Sequence, residues 1–304
     1  MIAASHLTKR FGDVTAVDDL SFEVQPGLVT GFLGPNGAGK STTMGMILGL
    51  DAPTKGRATI NGVAYRDLAH PLRSVGALLD PEAVDPKRSA ADHLRWLAVS
   101  NQIPLTRVDE VLHLVDLDRA AGRPAGALSL GMRQRLGLAA ALLGDPETLL
   151  FDEPINGLDP EGIVWLRGLL RQLADEGRTV FLSSHLMGEM ALTADHLVVI
   201  AEGRLVADGP VDEIVRQHTR PSVIVRSPNC QDALASLVTA AGADTATSAD
   251  GALTVTGLDA LHIGQLAAQR GIALSELTPT QNSLEEAFMD MTRPTQPATA
   301  RSPR

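Results

Sequence analysis

The residues best suited to chemistry stand in one glycine-rich segment, GPNGAGKST, at positions 34–42. The segment matches the pattern G-x-x-x-x-G-K-[ST] and lies between an apolar run typical of a strand and an apolar stretch typical of a helix. Glycines let the backbone approach an anion closely, and successive N–H groups at a helix N-terminus attract phosphate. We expect Lys40 to reach the β- and γ-phosphates of a nucleoside triphosphate and the Ser41 hydroxyl to bind Mg²⁺. The residues expected to hold the nucleotide are Gly34, Pro35, Asn36, Gly37, Ala38, Gly39, Lys40, Ser41 and Thr42.

A second candidate site is the acidic pair that closes the apolar run TLLFDE, Asp152 and Glu153. A single aspartate at a strand end could merely cap the next turn. An adjacent Asp-Glu pair beside a phosphate loop is electrostatically costly unless a cation and a water molecule use both carboxylates. We therefore expect Asp152 to hold Mg²⁺ through water, and Glu153 to act as the general base for hydrolytic water.

Further segments follow in a fixed order: LSLGM at positions 128–132, NGLDP at 156–160 and SSH at 183–185. Together with the phosphate loop and the acidic pair, their order and spacing resemble the ATP-binding cassette (ABC) family of transporter ATPases over about residues 1–215. The resemblance implies that His185 is the switch histidine and that Asp159 lies in the D-loop. It also implies that Ser129 and Gly131, in the signature segment, contact the γ-phosphate held by a second subunit. Phe11 matches the aromatic residue that stacks on adenine. Without the resemblance, Ser129 is typical of a helix N-cap and Phe11 of a core residue.

Two departures from the family pattern stand out. Leu130 and Met132 occupy signature positions where glycine and glutamine are usual, which reduces backbone freedom and removes one side-chain hydrogen bond. Asp80 stands at the Q-loop position, where glutamine is usual. A carboxylate can still meet Mg²⁺ or its water, so Asp80 is expected to be a metal ligand together with Ser41 and Asp152.

The elements that must position these residues alternate between strands and helices, which predicts an α/β protein. The resemblance implies a P-loop NTPase cassette over residues 1–218. It would contain a mixed sheet core, an antiparallel β subdomain and a helical signature subdomain at about 85–144. Residues 219–292 read as a small C-terminal α+β module in the order βαββαβ, the ferredoxin-like plan. The alternative is a loose extension without its own core. Residues 293–304 are Pro-rich and are expected to be a disordered tail.

Composition excludes several classes of protein. Asp and Glu outnumber Lys and Arg by 36 to 26, giving a formal net charge of −10, which disfavours nucleic acid as a partner. One cysteine, Cys230, rules out an internal disulfide and a cysteine-rich metal site. No apolar run approaches the roughly 20 residues that span a bilayer, and no secretory signal is visible.

These features favour the ATP-hydrolysing subunit of an exporter of small molecules such as drugs or antibiotics, with ATP and Mg²⁺ as cofactors. Its expected partners are a separate transmembrane permease and a second cassette in a head-to-tail homodimer. The expected location is the cytoplasmic side of the cell membrane. The alternatives are a soluble ABC ATPase of translation or DNA repair, and a nucleotide-sensing regulator that hydrolyses ATP poorly.

Overall fold

The computed structural model describes residues 1–219, 222–248, 250–280 and 283–292. The chain forms two compact units, Met1–Val211 and a second unit that begins at Asp212. This division falls at the start of a helix, whereas the sequence suggested a boundary after it, at 218/219. The predicted disordered tail, 293–304, lies outside the described residues.

The first unit contains most of the regular structure. Its elements in chain order are β1 (Ile2–Phe11), β2 (Val14–Val24), β3 (Val29–Leu33), α1 (Lys40–Ile47), β4 (Lys55–Ile60), α2 (Pro71–Ser74), β5 (Val75–Leu78), α3 (Ala90–Ser100), α4 (Thr106–Leu114), α5 (Leu130–Leu142), β6 (Thr148–Phe151), α6 (Pro160–Asp175), β7 (Thr179–Ser184), α7 (Met187–Thr193), β8 (His196–Ala201) and β9 (Arg204–Pro210).

The central sheet has six strands in the order β5-β6-β7-β3-β8-β9. All neighbours are parallel except β8 and β9, so the sheet is mixed, as expected. Every residue of β3, β6 and β7 is buried, because parallel strands covered on both faces need continuous apolar runs. The carboxyl ends of these three strands therefore meet at one edge of the sheet.

A smaller antiparallel sheet, in the order β2-β1-β4, packs against this core. The Phe22 ring of β2 lies 5.6 Å from the rings of both Phe32 and Phe181, which belong to β3 and β7. Aromatic contacts at this separation add to the hydrophobic burial of each ring. The three rings thus join the two sheets, and the antiparallel β subdomain is confirmed.

Helices α3, α4 and α5 form the segment between β5 and β6. Two of them begin with a serine N-cap: Ser89 Oγ accepts a hydrogen bond from the Asp92 N–H, and Ser129 Oγ accepts one from the Met132 N–H. Leu94, Val111 and Leu136 are buried, and each such side chain contributes about 1.5–3 kcal/mol. The predicted helical subdomain at about 85–144 is present.

The second unit is an α+β fold. Helix α8 (Val211–His218) spans the boundary, and then follow β10 (Ser222–Arg226), α9 (Gln231–Ala240), β11 (Asp244–Thr247), β12 (Leu253–Thr256), α10 (Ala260–Gln269), β13 (Glu276–Thr280) and α11 (Leu284–Thr292). The antiparallel sheet order β11-β12-β10-β13 is that of a ferredoxin-like fold. A hydrophobic cluster that includes Val223, Leu234 and Ile263 forms its core. The sequence-based prediction of this plan is confirmed.

Among the described residues, no helix is both long enough and apolar enough to cross a membrane.

Candidate nucleotide-binding site

The glycine-rich loop connects the end of β3, at Leu33, to the first residue of α1, Lys40. Gly39 precedes the helix with φ of +101°, a conformation that residues with a side chain rarely adopt. A Cβ atom at Gly39 would also lie 2.5 Å from the carbonyl oxygen of Ala16, so only glycine fits here. A cavity of about 260 Å³ opens at this loop. It is lined by Ala16, Asn36, Gly37, Gly39, Lys40, Ser41, Thr42, Asp152 and Glu153.

The Lys40 ammonium supplies positive charge at this cavity. The residue is only 7% exposed, and its Nζ donates to the carbonyl oxygen of Gly34 at 2.6 Å. Within the described part of the chain no carboxylate forms an ion pair with it. A nearly buried cation whose contacts are neutral carbonyls favours an anionic ligand, and the loop therefore suits a polyphosphate.

One buried hydroxyl holds the acidic pair beside the loop. The Ser183 hydroxyl, at the end of β7, donates to Asp152 Oδ1 at 2.5 Å and accepts a hydrogen bond from the Glu153 N–H at 2.9 Å. The other carboxylate oxygen of Asp152 accepts from the Ser41 hydroxyl at 2.6 Å. Three elements thus bring Ser41, Asp152 and Ser183 together, as the carboxyl ends of neighbouring parallel strands predict.

The next residue, Glu153, points its carboxylate toward His185. The Nδ1 atom of His185 lies 2.8 Å from Glu153 Oε2, and Glu153 has φ of +51°, unusual for a residue with a side chain. Backbone strain of this kind concentrates at functional sites. If Nδ1 carries the proton, the His185 ring orients the carboxylate, which then has its other oxygen free to accept a proton from water.

The residues predicted from the signature and D-loop segments lie at helix starts, outside the residues that line the cavity. Ser129 is the N-cap of α5, and Asp159 is the N-cap of α6, where its carboxylate accepts from the Gly162 N–H at 2.8 Å. Gly131 follows in the first turn of α5. Their expected role, contact with a nucleotide held by another subunit, stays a prediction.

The other predicted residues outside the cavity lining are Gly34, Pro35 and Ala38 of the loop itself, His185, Phe11 and Asp80. Phe11, at the end of β1, is 51% exposed, and the ammonium of Lys9 lies 4.9 Å from its ring centroid. Phe11 is therefore not a core residue, and its ring surface is available for stacking. Asp80 follows β5 and accepts a hydrogen bond from the Glu82 N–H at 2.8 Å, which is a local turn contact. Its role as a metal ligand stays a prediction.

Sequence reasoning missed two residues of the site. Ser183 belongs to the SSH segment, and its place on the strand next to that of Asp152 could have indicated a hydrogen bond between the two side chains. Gln134 is buried in α5, and its side-chain amide donates to the Pro154 carbonyl at 2.9 Å. This contact connects the helical segment to the loop after Glu153, and no pattern in the neighbouring sequence indicates it.

The phosphate loop follows β3, a histidine follows the neighbouring strand β7, and an acidic pair follows β6, the strand on the other side of β7. Together these features define a P-loop nucleotide-binding ATPase. The ABC transporter family model matches residues 17–156, and a model for a domain of unknown function matches residues 221–285. The chain is 35% identical over 300 residues to the bacitracin transport ATP-binding protein of Bacillus licheniformis, covering 96% of this chain and 97% of the relative. It is 38% identical over 226 residues to the Nod factor export ATP-binding protein I of Burkholderia lata, covering 72% of this chain and 74% of that protein. The chain belongs to the ABC transporter ATP-binding proteins.

Solved structures agree with this assignment. The ATP-binding subunit of an ABC transporter superposes with a TM-score of 0.65 at 28% identity, covering 71% of this chain and 92% of that one. A dimeric ATP-binding cassette bound to ADP and Pi gives a TM-score of 0.63 at 24% identity, covering 69% of this chain and 98% of that one. The fold is that of an ABC cassette, and the chain is an ATP-binding ABC ATPase.

Proposed function

We propose that this chain hydrolyses ATP to drive export of a small molecule, such as a drug or antibiotic, through a separate membrane permease. The observation that carries the hydrolytic part is the contact chain from Ser41 through Asp152 and Ser183 to Glu153, next to the phosphate loop. The export part is supported by the relatives, which are named for bacitracin transport and Nod factor export. In this proposal the chain works at the cytoplasmic face of the membrane, attached through the permease.

The residues around the cavity have complementary roles in this proposal. Lys40 and the backbone N–H groups of the loop bind the phosphates, and Glu153 accepts a proton from the attacking water. His185 orients the Glu153 carboxylate. A neutral His185 that donates through Nδ1 has only an acceptor left at Nε2, so donation to the γ-phosphate requires the protonated ring or release of Glu153.

Mg²⁺ fits the oxygen atoms present. The Ser41 hydroxyl and the Asp152 carboxylate are hard ligands in contact with each other, and Asp80 is a further candidate from the sequence. The described residues contain no cluster of three or more His, Cys, Asp or Glu side chains that could hold a metal ion. Mg²⁺ commonly uses one or two protein ligands together with substrate phosphates and water, and there it would neutralise phosphate charge.

The residues outside the cavity fit a head-to-tail homodimer. Ser129, Gly131 and Asp159 would approach the nucleotide bound at Lys40 of the second cassette, and Phe11 would stack on the adenine within its own cassette. A soluble ATPase of translation or DNA repair is disfavoured, because the acidic balance of the chain offers little attraction to nucleic acid. A nucleotide sensor is disfavoured by the presence of both Glu153 and His185.

Replacing the general base tests the proposal. Glu153→Gln keeps the shape of the side chain but cannot accept a proton, and should lower the ATPase rate by about 10²–10⁴-fold. ATP binding should survive, because the phosphate contacts come from the loop. Since ATP held between two cassettes stabilises only the dimer, the variant should accumulate as a dimer with MgATP in size-exclusion chromatography.

The matched control is Glu285→Gln on α11, where the side chain is exposed. It should hydrolyse ATP at the parental rate and show the parental elution profile. Hydrolysis at the parental rate by Glu153→Gln would remove the general-base assignment. An inactive Glu153→Gln variant that stays monomeric with MgATP would keep the base and remove the two-cassette arrangement.

A further inference from the structure

The side chain of Leu130, at the start of α5, lies against Gly157 in the loop after Glu153. A Cβ atom at Gly157 would lie 2.4 Å from Leu130 Cγ and 2.5 Å from Cδ2, so no larger residue fits beside this leucine. Gly157 also has φ of +78°. Leu130 is 45% exposed and is therefore not a residue of the hydrophobic core. Leu130, one of the two residues that depart from the family signature, is therefore in contact with the D-loop of its own cassette.

Other contacts connect the same two segments. A Cβ atom at Gly131 would lie 2.8 Å from the carbonyl oxygen of Gly157, so the backbones approach closely. One turn further along α5, the buried Gln134 amide donates to the Pro154 carbonyl. The start of α5 and the loop 154–158 thus touch along their length, and Leu130 supplies the apolar part of that contact.

We propose that Leu130 is a positioning residue that joins the signature segment to the D-loop of its own cassette, so that Ser129 and Asp159 are presented as one rigid surface. Leucine adds side-chain packing over Gly157 that the usual glycine would lack. Holding both segments in place before the second cassette arrives reduces the entropy lost on dimer formation. The inference rests on the proposed two-cassette function, because both residues are expected to face the nucleotide of the second subunit.

A double-mutant cycle tests the contact. Gly157→Ala should lower kcat by about tenfold or more while Leu130 is present, because the new methyl group collides with Leu130 Cγ. In the Leu130→Ala background the nearest remaining side-chain atom, Cβ, lies 3.4 Å from that methyl position, an ordinary contact. Gly157→Ala should then lower kcat by about threefold or less. The strain of alanine at positive φ is common to both backgrounds, so it does not contribute to the difference between them. Equal costs of Gly157→Ala in the two backgrounds would overturn the proposal.

The functional part has its own measurement, made on the full-length Glu153→Gln chain. Adding Leu130→Gly should raise the MgATP concentration needed for dimerisation by about fivefold or more, while the affinity of the monomer for ATP stays within about twofold. The control is Val99→Ala on α3, which truncates an exposed apolar side chain in the same helical segment and should change neither quantity. A role in fold stability alone predicts a lower melting temperature with unchanged dimerisation and kcat, and that result would also overturn the proposal. Failure of the Glu153→Gln chain itself to dimerise would contradict the two-cassette function, whereas the kcat cycle would still decide on Leu130.

Discussion

At the scale of single residues, Ser183 connects the two acidic residues of the site, Asp152 and Glu153. Its hydroxyl is fully buried, and it both donates to the Asp152 carboxylate and accepts from the Glu153 N–H. One atom therefore fixes the proposed metal ligand relative to the backbone of the proposed general base. Because Glu153 has a positive φ, its N–H needs a partner at this position to hold the unusual conformation.

Ser183→Ala should lower kcat and leave ATP affinity nearly unchanged. The substitution leaves the Glu153 N–H without its acceptor, which costs about 1–3 kcal/mol of stability. It also removes the hydrogen bond that holds the Asp152 carboxylate in place. A loss of about tenfold or more in kcat is expected, with the Kd for ATP within about threefold of the parent.

The matched control for Ser183→Ala is Thr148→Val in the neighbouring strand β6. Thr148 is also fully buried, and among the described residues its hydroxyl has no hydrogen-bond partner. Removing that hydroxyl should leave kcat unchanged and should not lower the melting temperature. Comparable loss of kcat in both variants would mean that any change in this part of the core disturbs the site, and would remove the specific role of Ser183.

At the scale of secondary-structure elements, helix α3 contains an ionisable side chain in an unfavourable place. His93 is 8% exposed, and no residue that the structure describes forms a hydrogen bond with its Nδ1 atom. Burial, and secondarily the positive charge of Arg88, lower the pKa of His93 below its ordinary value. The folded state therefore resists protonation of this ring.

The pH dependence follows from that direction. A lowered pKa in the folded state means that the unfolded chain binds more protons below about pH 6.5, so stability is lost as the pH falls through this region. The melting temperature of the parent should drop between about pH 7.5 and pH 5.5 by a few degrees more than that of His93→Gln. His113→Gln on α4 is the control, because that ring is 85% exposed, and it should follow the parent. Parallel pH profiles for the parent and His93→Gln would contradict the assignment.

Some strands leave no clear pattern in the sequence, each for its own physical reason. β1 shows no regular alternation of apolar and polar residues, because its pairing with β2 shifts register between Ala4 and Arg10. β5 has only four residues, which are too few to show an alternation of apolar and polar side chains. The apolar residues that follow helix α10 do not begin the last strand, because the Ile272 N–H bonds the Ala267 carbonyl at the end of that helix; the strand lies at Glu276–Thr280.

Local patterns did predict the parts of the site that are local in sequence. The phosphate loop of residues 34–42, the acidic pair and the βαββαβ order were all readable, since each depends on neighbours along the chain. The Ser183 bridge, the Gln134 contact and the packing of Leu130 on Gly157 were not readable, because each depends on which distant segments the sheet brings together. Nonlocal contacts of this kind leave no spacing rule in one sequence.

At the scale of the whole molecule, each of the two units has a hydrophobic cluster among its described residues. The cluster of the first unit includes Phe22, Phe32 and Phe181, and that of the second unit includes Val223 and Leu234. The two clusters share no residue. Since burial of apolar surface is the dominant stabilising term, we expect each unit to fold by itself.

Deleting residues from position 221 onward should therefore leave a folded cassette. The shortened chain should unfold cooperatively, with a melting temperature within about 5 °C of the parent, and should bind ATP with a Kd within about threefold. Removing only 293–304 is the control for the effect of cutting the chain, and it should be indistinguishable from the parent in both measurements. Calorimetry and ATP titration would check both chains. A shortened chain that lacks a cooperative transition, while the control retains one, would show that the second unit completes the core of the first, and the residues after 220 would then have to be treated as part of the ATPase fold.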